Sequence, residues 1–366
     1  MVKIARSVHT SFQLLLLSVS VLSGLRCGSS HLYFCHCLPL SGPTIPSLCA
    51  ISLVHSFKFS SSPAPIFLSQ GRRGLAMASR SLPEIPPNLA EHAEQIHATA
   101  KDALRVKLTP AKDLPLWQSK VGGTPYMPIN ADYPKGPAGD PLKLLAQINL
   151  SEIPRIPGYP ESGILQFFID PFDEFLGLGG EFDHTGQKRF RVLYFETVEK
   201  DTSKLKTEDP LRIEGGKIIN AANAKESLEH NWPIANGGQY SMEFEPFRQV
   251  ITSDDYRTGS RVFECNPNLP WHEQYATKPE LFDAYEETFK GSGHQFGGYP
   301  YFTQDDPRGA NPLLQGYELL FQLDSQVFGS GEEIIWGDMG VANFFIKPED
   351  LEKRDFTKIM YNWDCC

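Results

Sequence analysis

The chain has 366 residues, with 34 Lys and Arg against 44 Asp and Glu and a formal net charge of −10. Residues 1–76 contain no acid and only Lys3, Arg6, Arg26, Lys58, Arg72 and Arg73, so 28 basic and all 44 acidic residues lie beyond them, a net charge of −16 there. A body this acidic, with no Lys/Arg cluster after Arg72-Arg73, argues against nucleic acid as a partner, because phosphate binding needs a basic surface.

Residues 1–80 read as a leader outside the fold, and three readings fit them. Ser-rich, acid-free text with scattered Arg is what a plastid or mitochondrial transit segment looks like. Lys3 and Arg6 ahead of the apolar run Phe12–Leu22 fit a secretory signal, although that run is too short to span a bilayer. Translation from Met77 would leave the leader unmade and the protein cytoplasmic. Four of the seven cysteines (Cys27, Cys35, Cys37, Cys49) sit in this leader, and no C-x-x-C spacing occurs. An intracellular body with no metal, no cofactor and no membrane segment is therefore expected.

Asn88, with Glu91 three residues on, suits a helix start, and Leu89, Ala93, Ile96, Ala100 and Leu104 then share a face, which predicts a helix over 89–104. After it, short aromatic and β-branched runs alternate with Gly and Pro. Residues 163–169, 190–195 and 248–252 read as strands, and apolar residues on both faces of 164–169 predict cover on both sides. The charged, weakly patterned stretch 199–245 is expected to be the most exposed. Thr277, Pro279 and Glu280 open a second helix over 278–290, which Gly291 stops. With 30 Gly and 29 Pro, long regular elements are excluded.

One string occurs twice. Gly122-Gly123-Thr124-Pro125-Tyr126, Leu144 to Asn149, Gly163 and Phe167-Phe168-Ile169 return as Gly297-Gly298-Tyr299-Pro300-Tyr301, Leu319 to Asp324, Gly340 and Phe344-Phe345-Ile346. The offset is 175 through Gln147 and Gln322 and 177 at the second Gly, so about two residues are inserted within the unit. This predicts a mainly β (α+β), single compact body of two internally duplicated, pseudo-twofold halves with a few short helices. Half one covers about 115–198, a connector 199–289, and half two about 290–366, all within a domain of 81–366.

The repeated residues supply the binding candidates. Gln147 and Gln322 each sit among aliphatic residues, and a buried amide must satisfy one acceptor and two donors. It can do so against the fold or against a polar ligand. Tyr126 and Tyr301 offer a large ring with a polar tip. Trp336-Gly337-Asp338 matches Tyr159-Pro160-Glu161, an aromatic followed by an acid at a turn. Such an acid can hold backbone N–H groups or present a carboxylate to a cation. There is no nucleophile elbow, phosphate loop, dinucleotide fingerprint or H-E-x-x-H, so no catalytic residue is assigned.

These motifs, with Arg191-Val-Leu-Tyr194, Trp336-Gly-Asp338 and Tyr361-Asn-Trp-Asp364, resemble the YwqG-like family, a domain of unknown function (DUF1963), from about residue 115 to the C-terminus. Many members have a Leu pair where this chain has Phe296 before Gly297. The resemblance implies a mostly β duplicated domain and no established reaction. The reading that follows is a non-catalytic binding protein, engaging an unknown protein or a small polar ligand in a polar cleft between the halves, around Gln147, Gln322, Trp336, Asp338, Tyr126, Tyr301 and His294. The alternative is a cofactor-independent, hydrolase-like enzyme using Asp338 with His294 or Glu161 for acid–base chemistry in that cleft.

Overall fold

The computed structural model describes residues 81–365 apart from 181, 215–216, 224, 229–231 and 330–332. The three readings of the leader fall outside the described residues. Among the described residues no helix is long and apolar enough to cross a membrane.

The strands are β1 (Lys101–Pro110), β2 (Lys120–Gly122), β3 (Lys143–Asn149), β4 (Ile164–Ile169), β5 (Phe190–Phe195), β6 (Leu211–Glu214), β7 (Lys217–Asn220), β8 (Glu226–Leu228), β9 (Gln239–Gln249), β10 (Gln295–Gly297), β11 (Glu318–Asp324), β12 (Gln326–Val327), β13 (Glu333–Ile334), β14 (Val341–Ile346) and β15 (Ile359–Asp364). The short helices are α1 (Ala93–Ala98), α2 (Thr258–Val262), α3 (Trp271–Thr277), α4 (Pro279–Thr288), α5 (Pro307–Ala310) and α6 (Pro348–Glu352).

Ten strands form one antiparallel, nearly closed, barrel-like sheet in the order β15-β14-β11-β10-β1-β9-β2-β3-β4-β5. The fold is thus mainly β. A long central ribbon, β1 with β9, carries a four-stranded wing on each side. The wings curl until their outer strands approach each other: the rings of Phe190 and Tyr361 lie 5.1 Å apart, and the Tyr361 hydroxyl donates to Leu176 O at 2.8 Å. Side chains from both wings fill the interior, with the Phe167 ring 4.8 Å from both Phe321 and Phe344. Each such ring contributes about 1.5–3 kcal/mol by leaving water.

β4 is buried at all six positions, as its two-faced apolar text predicts. Leu165, Phe167 and Ile169 enter the interior, while Phe168 packs outside with Met127, Leu142 and Leu144. On the other wing Phe302, Tyr317, Leu319 and Phe345 make the corresponding outer cluster. The two wings even share an irregularity, since β3 shifts register against β4 between Leu144 and Ala146, and β11 against β14 between Leu319 and Phe321.

Two expectations fail. The helix predicted over 89–104 is a 3-10 turn (Pro87–His92) followed by α1, and it ends at Ala98. From Lys101 the chain is strand: Leu104, Val106 and Leu108 are buried while Arg105 and Lys107 are exposed, a period of two that a helical window overlaps. Pairing with β9 along ten residues and with β10 along three decides the conformation over local helix propensity. The stretch 199–245, expected to be exposed, has exposed runs at 200–204 and 221–223, and it also holds the small sheet β6-β7-β8 and most of β9, a central strand. Helix α4 forms where predicted, but its expected capping box does not. The Thr277 hydroxyl donates to Gln274 O instead.

Candidate functional site

The repeated glutamines serve the fold. Gln147 is fully buried. Its Oε1 accepts from Tyr126 N at 2.9 Å and Gln166 Nε2 at 3.0 Å, and its Nε2 donates to Leu116 O and Gln118 O, both at 2.7 Å. Gln322, also fully buried, accepts from Tyr301 N at 2.8 Å and donates to Gly291 O at 2.8 Å and Gly293 O at 2.7 Å. Both donor hydrogens of each amide are therefore spent on backbone carbonyls. The adjoining Gly pairs follow from close approach: a Cβ at Gly122, whose φ is +67°, would stand 2.3 Å from Gly238 O.

The other candidates lie apart. Tyr126 is buried, and its hydroxyl accepts from Glu199 N at 2.8 Å; Tyr301 is half-buried. Trp336 is fully buried in the interior, 6.2 Å from the Trp363 ring, whereas Asp338 two residues on is exposed. Glu161 is exposed and ion-paired with Arg155. Of these candidates, His294 lines a cavity.

That cavity is a groove of about 630 Å³ on the outside of the central ribbon. β10 reaches only Ala103–Arg105 of β1, and one further bond, Val106 N to His294 O at 2.9 Å, ends the pairing. Beyond it, residues 288–294 stand off from the sheet and form the wall. Arg105–Leu108 and Glu245–Gln249 are the floor, Pro83 and Glu84 close one end, and Ser325 and Gln326 also line it. The His294 ring is fixed. Nδ1 accepts from Asp324 N at 3.0 Å, so the proton sits on Nε2, which is 2.7 Å from Gln326 Oε1. Burial lowers its pKa from 6.5, and the neutral ring has no free nitrogen to act as a base. Neither Asp338 nor Glu161 lines the groove.

Two carboxylates, the half-buried Asp254 and the buried Asp364, flank the segment after Tyr301. Asp254 Oδ2 accepts from Phe302 N, and Asp364 Oδ2 from Thr303 N and Gln304 N. Burial pushes Asp254 up to about 7 and Asp364 up to about 6 from 3.8. Their contribution to stability is therefore full below 3.8 and is lost as pH rises through the folded values. His294 acts oppositely, contributing fully above 6.5 and losing it as pH falls. These two carboxylates should pull the melting temperature down between about pH 4 and pH 7, with His294 opposing them below 6.5. Asp254→Asn should flatten that slope, and parallel profiles for wild type and variant would contradict the assignment.

Sequence reasoning missed the buried ion network. Asp306 is buried and accepts from Arg308 N at the start of α5. Asp followed by Pro at a helix start was the available signal. It also missed Lys120, fully buried, with Nζ 3.2 Å from Pro115 O and its pKa lowered to about 8 by burial, against Glu152.

A family model described as a domain of unknown function, DUF1963, matches residues 119–365. The chain belongs to this family. No curated protein matches it. The DUF1963 match takes in both wings and β9 but not β1, so Arg105 to Leu108 of the groove floor come from outside the part that matches the family.

Proposed function

We propose that this DUF1963 protein is a non-catalytic binding protein, built of two duplicated halves (about 115–198 and 290–366, joined by 199–289), that takes a small polar ligand in the groove on the outside of the central ribbon. Residues 1–80 are read as a leader rather than as part of this domain. The duplication is supported by bonding: Leu116, Gln118, Tyr126 and Gln147 have their counterparts 175 residues on at Gly291, Gly293, Tyr301 and Gln322. One observation carries the binding reading. The groove of about 630 Å³ runs along the ribbon that joins the two wings, and its size falls in the range of small-molecule sites.

The alternative, acid–base catalysis without a cofactor, needs a carboxylate and a base within reach of one substrate. His294 has both ring nitrogens engaged, and Asp338 and Glu161 project from separate turns, which favours binding over catalysis.

A thermal-shift screen of the full chain against small polar compounds tests the proposal, since a ligand that binds the folded state raises its stability. A compound that acts in the groove should lose most of its effect on Phe247→Ala, a change in the floor. Hits indifferent to that change would place binding elsewhere. Asp338→Asn, on an exposed turn, should leave stability within about 0.5 kcal/mol and leave every hit unchanged; loss of a hit would return Asp338 to the site.

A further inference from the structure

Resting on the binding reading above, we infer that the groove takes a small organic anion, bearing a phosphate or carboxylate group that Arg105 grips. The charge of this protein is the first reason. Beyond residue 76 the chain carries −16, yet the groove gathers Arg105, Lys107, Arg248 and Lys290 against two carboxylates, Glu84 and Glu245. These cations come from three separate segments, so no basic cluster marks them in the sequence. An anion meets repulsion over most of this surface and attraction here, and a concave site focuses that field.

Arg105 is the second reason. Its guanidinium carbon lies over the Phe247 ring, 4.5 Å from the centroid, and it forms no ion pair or side-chain hydrogen bond with any described residue. Glu245 stands opposite it across the ribbon without pairing. Stacking fixes the plane of the guanidinium and leaves its edge of N–H donors free for a bidentate acceptor. The other cations are differently committed. Arg248 donates to Ala100 O at 2.9 Å and lies 3.9 Å from Asp102 Oδ1. Lys107 and Lys290 make only exposed pairs, at 4.0 Å with Glu243 and 3.5 Å with Glu286, which solvent weakens. Both lysines thus add positive potential while Arg105 supplies direction. Glu84 and Glu245 limit how much negative charge the groove accepts, and suit a ligand whose anionic group is accompanied by hydroxyl or amine donors.

Calorimetric titration of the full chain with inorganic pyrophosphate and with citrate, at fixed ionic strength, tests this. At least one should bind saturably, and which of them does separates phosphate from carboxylate recognition. Affinity should fall as chloride rises, because the pairing is solvent-exposed. Arg105→Ala should weaken binding tenfold or more with no change in melting temperature. Arg105→Lys, which keeps the charge but not the planar fork, should recover only part of the loss. No saturable binding of either anion, or an Arg105→Ala affinity within twofold of wild type, overturns the inference. Glucose and trehalose, uncharged polar probes, separate the two readings. If one of them binds and is lost on Phe247→Ala while the anions fail, the groove binds ligands but not anions. If all four fail, both readings fall.

Discussion

Arg308→Met should destabilise the protein by about 3–5 kcal/mol, the cost of stranding a buried charge, lowering the melting temperature by roughly 6–20 °C for a domain of this size. Arg308 has no exposed surface. Its guanidinium donates to Asp306 Oδ2 at 2.6 Å, Asp255 Oδ2 at 3.0 Å and Tyr317 O at 2.8 Å, and lies 4.7 Å from the Phe345 centroid. The network continues through Arg257, which bonds Asp255 at 2.7 Å and Glu318 at 2.5 Å, to Lys101 at 2.6 Å from Glu318. Burial alone would raise the Asp255 pKa, but Arg308 and Arg257 hold it well below the usual carboxylate range. Removing Arg308 takes away the first of the two cations that oppose burial at Asp255, and leaves Asp306 without its guanidinium partner. Arg308→Lys should recover part of the loss, since it restores charge without the fork. The double change Arg308→Met with Asp255→Asn should cost less than the sum of the two single changes. Additive costs would show that the contacts are not energetically coupled.

Six charges that meet in one place were invisible in the sequence because they come from four elements or loops: Lys101 on β1, Asp255 and Arg257 before α2, Asp306 and Arg308 at α5, and Glu318 on β11. Each looks like a lone surface residue until tertiary folding brings them together. Local text was legible in β4, an apolar run bounded by Gly163 and Pro171, in β5 and in α4. It misled at 89–104, where Leu89, Ile96 and Leu104 satisfy a helical period across a boundary that only the partner strands β9 and β10 define. The repeated motifs pointed to conserved bonding geometry rather than to the site. Gln147 and Gln322 are buried because they tie backbone, while the groove floor at Arg105 and Phe247 has no motif at all. A site made of exposed residues on alternating strand positions leaves no signal that distinguishes it from an ordinary solvated face.

Gln147→Ala and Gln322→Ala should each cost about 3–5 kcal/mol, because each leaves three backbone polar groups buried without a partner at roughly 1–3 kcal/mol apiece, partly relieved by relaxation and water. In one wing the stranded groups are Tyr126 N, Leu116 O and Gln118 O; in the other they are Tyr301 N, Gly291 O and Gly293 O. Gln147 also accepts from Gln166 Nε2, whereas Gln322 faces Asn343, whose shorter amide donates to Tyr301 O instead. The first substitution should therefore be the costlier by the worth of one hydrogen bond, about 1 kcal/mol. Gln→Glu at either position keeps the acceptor but turns a second oxygen toward two carbonyls, so it should destabilise at neutral pH and recover as the carboxyl protonates in acid. Chemical denaturation of the two alanine variants measures the comparison directly. Near-equal losses, ordered as stated, are what two copies of one bonding unit produce. A Gln322→Ala cost below about 1 kcal/mol, with Gln147→Ala remaining severe, would mean that matched geometry does not carry matched energy, and the duplication reading would lose its physical basis.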